Sequence, residues 1–131
     1  MTPVSVTHDG GDRFSVGIRG HAVHVDQPES DGGTDTGPTP TELFVASLAA
    51  CVAFYTRRYL KRHDLPEEGL TVTAQAESGA KPSRVASMTI TLTLPDGVPE
   101  DKRDALLAVA SHCTVHNTLT QPPELVIRLA D

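Results

Sequence analysis

The sequence predicts an α+β protein with mostly antiparallel sheets around a long, buried central helix. The first third alternates apolar and polar residues with a period of two, which is typical of short strands. A long apolar run, residues 43–55, follows clear helix-start residues. Further alternating segments and an amphipathic segment come after it. Strands and helices therefore occur in blocks, which favours antiparallel pairing over a parallel α/β sheet.

The strand pattern begins with three short alternating segments, and turns are predicted at "HDGGD" and around Gly20. The segment "QPESDGGTDTGPT" has a loop composition and is long for a compact protein, so a functional or mobile loop is expected. The apolar positions that define the three strands are Val4 and Val6, then Phe14, Val16 and Ile18, then Val23 and Val25.

The start of the long helix is marked by a capping box. Thr39 is the predicted N-cap, Pro40 the first helical residue, and Glu42 the reciprocal capping side chain. The run that follows is apolar on every side, so the helix is expected to be buried all round. One small chain has too little sheet to cover such a helix. We therefore predict a homodimer in which the long helices lie between sheets from both subunits.

The rest of the chain predicts two more strands, a helix, a helical turn and a last strand. Alternation marks the strands at residues 70–76 and 88–94, and the amphipathic helix starts at about Pro99. "CTVHNTL" is a helical turn that ends before Pro122 and Pro123, and "ELVIRL" is the predicted final strand.

Length and composition exclude several classes of protein. A chain of 131 residues is the size of a single domain, predicted to span residues 1–131. A net charge of −6 argues against nucleic-acid partners and anionic membranes. The start lacks the pattern of a signal peptide, and the apolar run is too short to span a bilayer. A cytoplasmic protein without a cofactor is expected, in which two cysteines are inert, catalytic or redox-active rather than a structural disulfide.

Cys51 lies in the middle of the apolar run, on a helical stripe with Phe44, Leu48 and Tyr55. By position alone, a small packing residue is the better interpretation, because free cysteines are often buried. A reactive Cys51 would need a cation that lowers its pKa. Arg13 and Arg19, on the polar face of the second predicted strand, are the candidates.

Cys113 lies at the start of the predicted helical turn. Unpaired N–H groups and the helix dipole at such a position favour a thiolate. With His112 and His116 it could also offer metal ligands, but the fourth ligand of a zinc site is missing, so no metal is predicted.

The pair of motifs "GPTPTELFVASLAAC" and "CTVHNTL" resembles the OsmC/Ohr family of thiol-dependent peroxidases, and the likeness extends over nearly the whole chain. The resemblance implies an intertwined α+β homodimer with active sites at the subunit interface. It also implies a cycle in which Cys51 attacks a peroxide and becomes a sulfenic acid. Cys113 then forms a disulfide with Cys51, and an external dithiol reduces both.

The resemblance further implies an arginine beside Cys51 that lowers the thiol pKa and orients the peroxide; Arg13 is preferred over Arg19. Phe44, Leu48 and Tyr55 would form an apolar pocket suited to a small organic hydroperoxide.

The chain departs from the family pattern at one position. The family's peroxidases carry a glutamate ten residues before the first cysteine, where this chain has Thr41. Glu42 lies about 180° around the helix from Cys51, so capping explains it better than catalysis. This departure motivates the alternative of a non-catalytic homodimer that binds a small apolar ligand.

Overall fold

The computed structural model describes all 131 residues, which divide into two compact units, 1–45 and 46–131. Five strands, three α-helices and two short 3₁₀ turns make up the chain. The strands are β1 Ser5–Gly10, β2 Arg13–Ile18, β3 His21–Val25, β4 Thr71–Gly79 and β5 Arg84–Thr93, and the helices are α1 Pro40–Arg62, α2 Arg103–Ala110 and α3 Thr114–Thr120. The α+β prediction is confirmed, and all strand pairs are antiparallel.

The first unit contains the predicted three-stranded sheet, in the order β1-β2-β3. Its register places Val16 opposite both Val6 and Val23, so the alternating apolar residues share one face. The turn between β2 and β3 consists of Arg19 and Gly20, both with positive φ. Arg19 is therefore a turn residue, and the prediction that it lies on the polar face of β2 is wrong. A two-residue hairpin turn requires this left-handed backbone.

The loop that follows β3 is organised around one buried carboxylate, Asp26, which is 1% exposed. Its Oδ2 atom accepts hydrogen bonds from the hydroxyls of Thr34 and Thr36 and from the Thr36 N–H, and its Oδ1 atom accepts one from the Gln27 N–H. These bonds hold the pKa of Asp26 well below its usual range; the largest contribution comes from the Thr36 hydroxyl. The loop predicted from composition is thus an ordered structure.

The capping box at the start of α1 is confirmed. The Glu42 N–H donates to Thr39 Oγ1 at 3.1 Å, and the Thr39 N–H donates to Glu42 Oε1 at 2.8 Å. Both side chains are therefore used by the helix terminus, as the sequence predicts.

In the second unit, β4 and β5 form a hairpin that packs with the helices around two core clusters. Leu48, Val52, Ala110 and Cys113 form the first cluster, and Tyr59, Leu60 and Leu106 form the second. Leu92 of β5 packs against both clusters. The core thus lies on the side of α1 that faces the hairpin and α2.

The helix α1 is not buried all round in the single chain, which agrees with the expectation that one chain has too little sheet to cover it; its burial by a second subunit stays a prediction. Phe44 is 40% exposed and Phe54 55% exposed, because one hairpin and two short helices cover only part of a 23-residue helix. The apolar run 43–55 was expected to be too short to span a bilayer, but α1 as a whole is long and apolar enough by length and composition, a criterion that core helices of soluble proteins also meet. Within the single chain Leu48, Val52 and Leu60 are buried, and 28% of the apolar window is buried overall.

The predicted final strand "ELVIRL" is wrong for the single chain. Residues 121–131 form no helix or strand, and all are exposed. A strand exists only where its backbone groups pair with a neighbour, and this segment pairs with neither sheet. Its apolar side chains Leu125, Val126, Ile127 and Leu129 are 74–99% exposed.

Candidate active site at the cysteine pair

Cys51 lies in the middle of α1 with its side chain partly buried against the first core cluster. Its neighbours one turn away are Leu48, which is buried, and Tyr55, which packs against the same cluster. The apolar stripe predicted from the sequence therefore exists. Cys51 keeps partial access to solvent, which a nucleophile requires.

Cys113 is fully buried and is the N-cap residue of α3. Its backbone is extended, with φ −71° and ψ 160°, and its sulfur accepts a hydrogen bond from the His116 N–H at 3.4 Å. The prediction that this residue starts a helical turn is confirmed. A sulfur thus takes the role that a serine or aspartate oxygen plays at most N-caps.

The two cysteines, 62 residues apart in sequence (113 − 51), come together in the first core cluster as free thiols. Burial raises the pKa of the Cys113 thiol, and its interaction with the Cys51 thiol acts in the same direction. The His116 N–H lowers that pKa but does not outweigh burial. Burial thus outweighs the stabilisation of a thiolate that the helix-start position was expected to provide.

A hydroxyl pair lies beside the sulfur pair. The Tyr55 hydroxyl and Thr114 Oγ1 are 2.8 Å apart and hydrogen-bonded. The Arg58 guanidinium lies over the Tyr55 ring, 4.5 Å from its centroid, which is a cation–π distance. Tyr55 thus combines apolar contact with a polar contact that sequence reasoning missed.

A small apolar cavity of about 110 Å³ adjoins the first core cluster. It is lined by Leu48 and Val52 of α1, Ile90 and Leu92 of β5, and Leu107, Ala110, Ser111 and His116. Its lining includes His116, whose Nδ1 atom is buried without a hydrogen-bond partner. The cavity shares Leu48, Val52 and Ala110 with the first core cluster, but neither cysteine lines it.

The remaining predicted site residues lie in the first unit. Arg13, at the start of β2, forms an ion pair with Asp9 at 3.5 Å. Phe44 lies in the first turns of α1 and is 40% exposed. A role for Arg13 or Phe44 beside Cys51 stays a prediction.

No cluster of three or more histidine, cysteine, aspartate or glutamate side chains that could hold a metal ion exists in the chain. His112 and His116, which were considered as metal ligands beside Cys113 but not predicted as such, have separate surroundings. His112 Nδ1 lies 2.7 Å from the Ala108 carbonyl oxygen, and the two imidazole centroids are 6.4 Å apart.

Solved structures with the same fold come from several bacteria. An osmotic stress induced and detoxification response protein from Psychrobacter arcticus 273-4 is 23% identical with a TM-score of 0.83; the match covers 90% of this chain and 88% of that one. The organic hydroperoxide resistance protein OsmC from Legionella pneumophila is 21% identical with a TM-score of 0.62, covering 91% and 90%.

A third similar structure is the organic hydroperoxide resistance protein OhrB of Bacillus subtilis, 18% identical with a TM-score of 0.56, covering 92% of this chain and 93% of that one. No curated protein matches the chain. The family model for OsmC-like proteins matches residues 33–128, which include both cysteines and all of α1 to α3. The chain therefore belongs to the OsmC-like protein family.

Proposed function

We propose that this protein reduces small organic hydroperoxides, with Cys51 as the nucleophile and Cys113 as its disulfide partner. The observation that carries the proposal is the presence of two free thiols, one partly exposed and one buried, at the same apolar cluster, where the Cys51 side chain interacts with that of Cys113. Similar structures from Legionella pneumophila and Bacillus subtilis are named as organic hydroperoxide resistance proteins, which supports the same substrate class.

The proposed cycle has three balanced steps. The Cys51 thiolate attacks one peroxide oxygen, the O–O bond breaks, and the alcohol leaves after taking up a proton, so that Cys51 becomes a sulfenic acid. The Cys113 sulfur then attacks the Cys51 sulfur; the sulfenic oxygen leaves as water with the Cys113 proton. An external dithiol exchanges with this disulfide, returns two thiols and becomes oxidised itself.

The surroundings of the two sulfurs suit these separate roles. Partial exposure lets Cys51 meet a peroxide, while the buried Cys113 remains a thiol until the sulfenic acid forms beside it. Leu48 and Tyr55 make the surroundings apolar, which favours an alkyl or aryl hydroperoxide over hydrogen peroxide. Arg13 is the cation that we propose to assist Cys51.

The intact mass of the protein tests this cycle directly. One equivalent of cumene hydroperoxide is expected to remove two hydrogens from the reduced protein, because one internal disulfide forms. Cys113→Ser is expected to gain one oxygen instead, because the sulfenic acid has no partner. Unchanged thiols in the wild-type protein at a tenfold excess of peroxide would contradict the proposal.

The apolar cavity favours a second candidate function, which is binding of a small apolar ligand without chemistry. Its volume of about 110 Å³ approaches that of the ~150 Å³ engineered cavity that binds benzene. Native mass spectrometry of the purified protein separates the two functions. A retained small ligand together with thiols that resist hydroperoxide supports the binding protein.

We also propose that the protein acts as a homodimer. Phe54 and the apolar residues of the segment 125–129 are largely exposed in the single chain, and apolar surface of this extent commonly marks an interface. Ile127→Asp is expected to shift the protein from dimer to monomer or aggregate in light scattering. Ile127 is 99% exposed in the single chain, and the substitution would remove an apolar contact from the proposed dimer interface. Arg128→Gln is the matched control and should remain dimeric; a wild-type monomer would contradict the proposal.

A further inference from the structure

We propose that Tyr55 and Thr114 form a positioning pair that keeps the Cys51 and Cys113 sulfurs within bonding reach. The inference rests on the proposed function, since it concerns the same two cysteines. It is carried by the 2.8 Å hydrogen bond between the two hydroxyls, which connects α1 to the first residue of α3.

The positions of the four residues make the two contacts neighbours. Tyr55 follows Cys51 by four residues, so both side chains lie on one face of α1, about 6 Å apart along its axis. Thr114 follows Cys113 directly. The hydroxyl contact and the sulfur contact therefore connect the same two segments, one turn of α1 apart.

Each hydroxyl is attached to a part of the chain that is itself well held. The Tyr55 ring packs against the core cluster, lies under Arg58 and meets Phe54 edge-on at 5.6 Å. The Thr114 carbonyl accepts a hydrogen bond from the Thr118 hydroxyl at 2.8 Å. The hydroxyl bond consequently connects a packed ring on α1 to the first turn of α3.

The chemistry of the disulfide makes this position important. A disulfide requires Cα atoms about 4.4–6.8 Å apart and well-directed Cβ atoms, so a shift of the start of α3 by a fraction of that range impedes closure. Until the disulfide forms, a second peroxide molecule can oxidise the sulfenic acid irreversibly to a sulfinic acid. Keeping Cys113 close to Cys51 favours formation of the disulfide over this irreversible oxidation of Cys51.

The test measures disulfide stability without any peroxide. The protein is equilibrated with mixtures of reduced and oxidised dithiothreitol, trapped with an alkylating reagent, and the oxidised fraction is read by mass. Tyr55→Phe and Thr114→Val are each expected to lower the equilibrium constant for the Cys51–Cys113 disulfide roughly fivefold, the scale of one net hydrogen bond.

A double-mutant cycle identifies the pair itself. Tyr55→Phe combined with Thr114→Val is expected to show no further loss beyond either single variant, because both remove the same bond. Thr114→Ser keeps a hydroxyl and should restore most of the wild-type value. Tyr59→Phe is the matched control one turn further along α1; its ring stacks on His63, and the disulfide equilibrium should stay unchanged.

Two results overturn the inference: single variants with the wild-type equilibrium constant, or losses that add fully in the double variant. Thr114 is exposed, so Thr114→Val keeps the test available even where Tyr55→Phe folds poorly. Failure of the proposed function has a different signature. In that case the wild-type protein forms the disulfide with oxidised dithiothreitol but not with an organic hydroperoxide.

Discussion

Cys51→Ser is expected to lower the turnover of cumene hydroperoxide at least roughly a thousandfold, with a dithiol as reductant. The reason is that a serine hydroxyl is un-ionised at neutral pH, whereas a thiolate is both ionised and strongly nucleophilic. The substitution is nearly isosteric, and Cys51 is only partly buried, so the fold should tolerate it. Coupled consumption of the peroxide, measured with purified protein, gives the rate.

Cys113→Ser gives the matched comparison because it removes the disulfide partner and leaves the nucleophile. We expect one fast turnover followed by inactivation, as excess peroxide converts the sulfenic acid of Cys51 to a sulfinic acid. The two variants thus differ in the first turnover, which only Cys113→Ser performs. Equal rates for the wild-type protein and Cys51→Ser would remove Cys51 from the mechanism.

Asp26→Asn is expected to be the most destabilising polar substitution in the first unit. Asp26 accepts a backbone N–H at each carboxylate oxygen, from Gln27 at Oδ1 and from Thr36 at Oδ2, so an asparagine amide in either orientation places its nitrogen against one of these donors. A buried donor without an acceptor is costly. We expect the midpoint of thermal unfolding, measured by circular dichroism, to fall by roughly 5–10 °C. Asp31→Asn, an exposed change in the same loop, should leave the midpoint within about 1–2 °C.

The same carboxylate predicts a pH dependence of stability. The folded pKa of Asp26 is lowered, so its contribution is fully present above the unfolded pKa of about 4 and is lost as the pH falls towards the folded value. Between pH 6 and pH 3 the thermal unfolding midpoint of the wild-type protein should fall more steeply than that of Asp26→Asn, because the variant has no titratable group at this position. Parallel curves for the two proteins would show that Asp26 is not the group responsible.

Local signals were sufficient to predict most elements of the fold. Alternation along the chain gives β1 to β5, since the side chains of a strand point to opposite faces residue by residue. The start of α1 was predictable because Thr39 and Glu42 are only three residues apart and satisfy each other's backbone N–H groups. The reactive interpretation of Cys51 came from the family resemblance, since position in the helix favoured packing.

Features that depend on distant partners were not predictable. Tyr55 and Thr114 are 59 residues apart, and neither carries a periodic or motif signal for their hydrogen bond. Asp26 carries no sequence signal for a buried role, and its partners Thr34 and Thr36 belong to the predicted loop. The segment 124–129 has a strand-like composition, but a strand also needs an edge to pair with, which the single chain does not provide.

The complete burial of Cys113 affects how fast the oxidised protein would be reduced. In the proposed cycle, a reductant that approaches the disulfide would meet the more exposed Cys51 sulfur first, so Cys113 would be the leaving group of that exchange. A thiolate leaves slowly when the pKa of its thiol is raised, as it is for Cys113. In the proposed cycle the oxidised form would therefore accumulate during turnover, and the supply of reductant, more than the supply of peroxide, would set the rate.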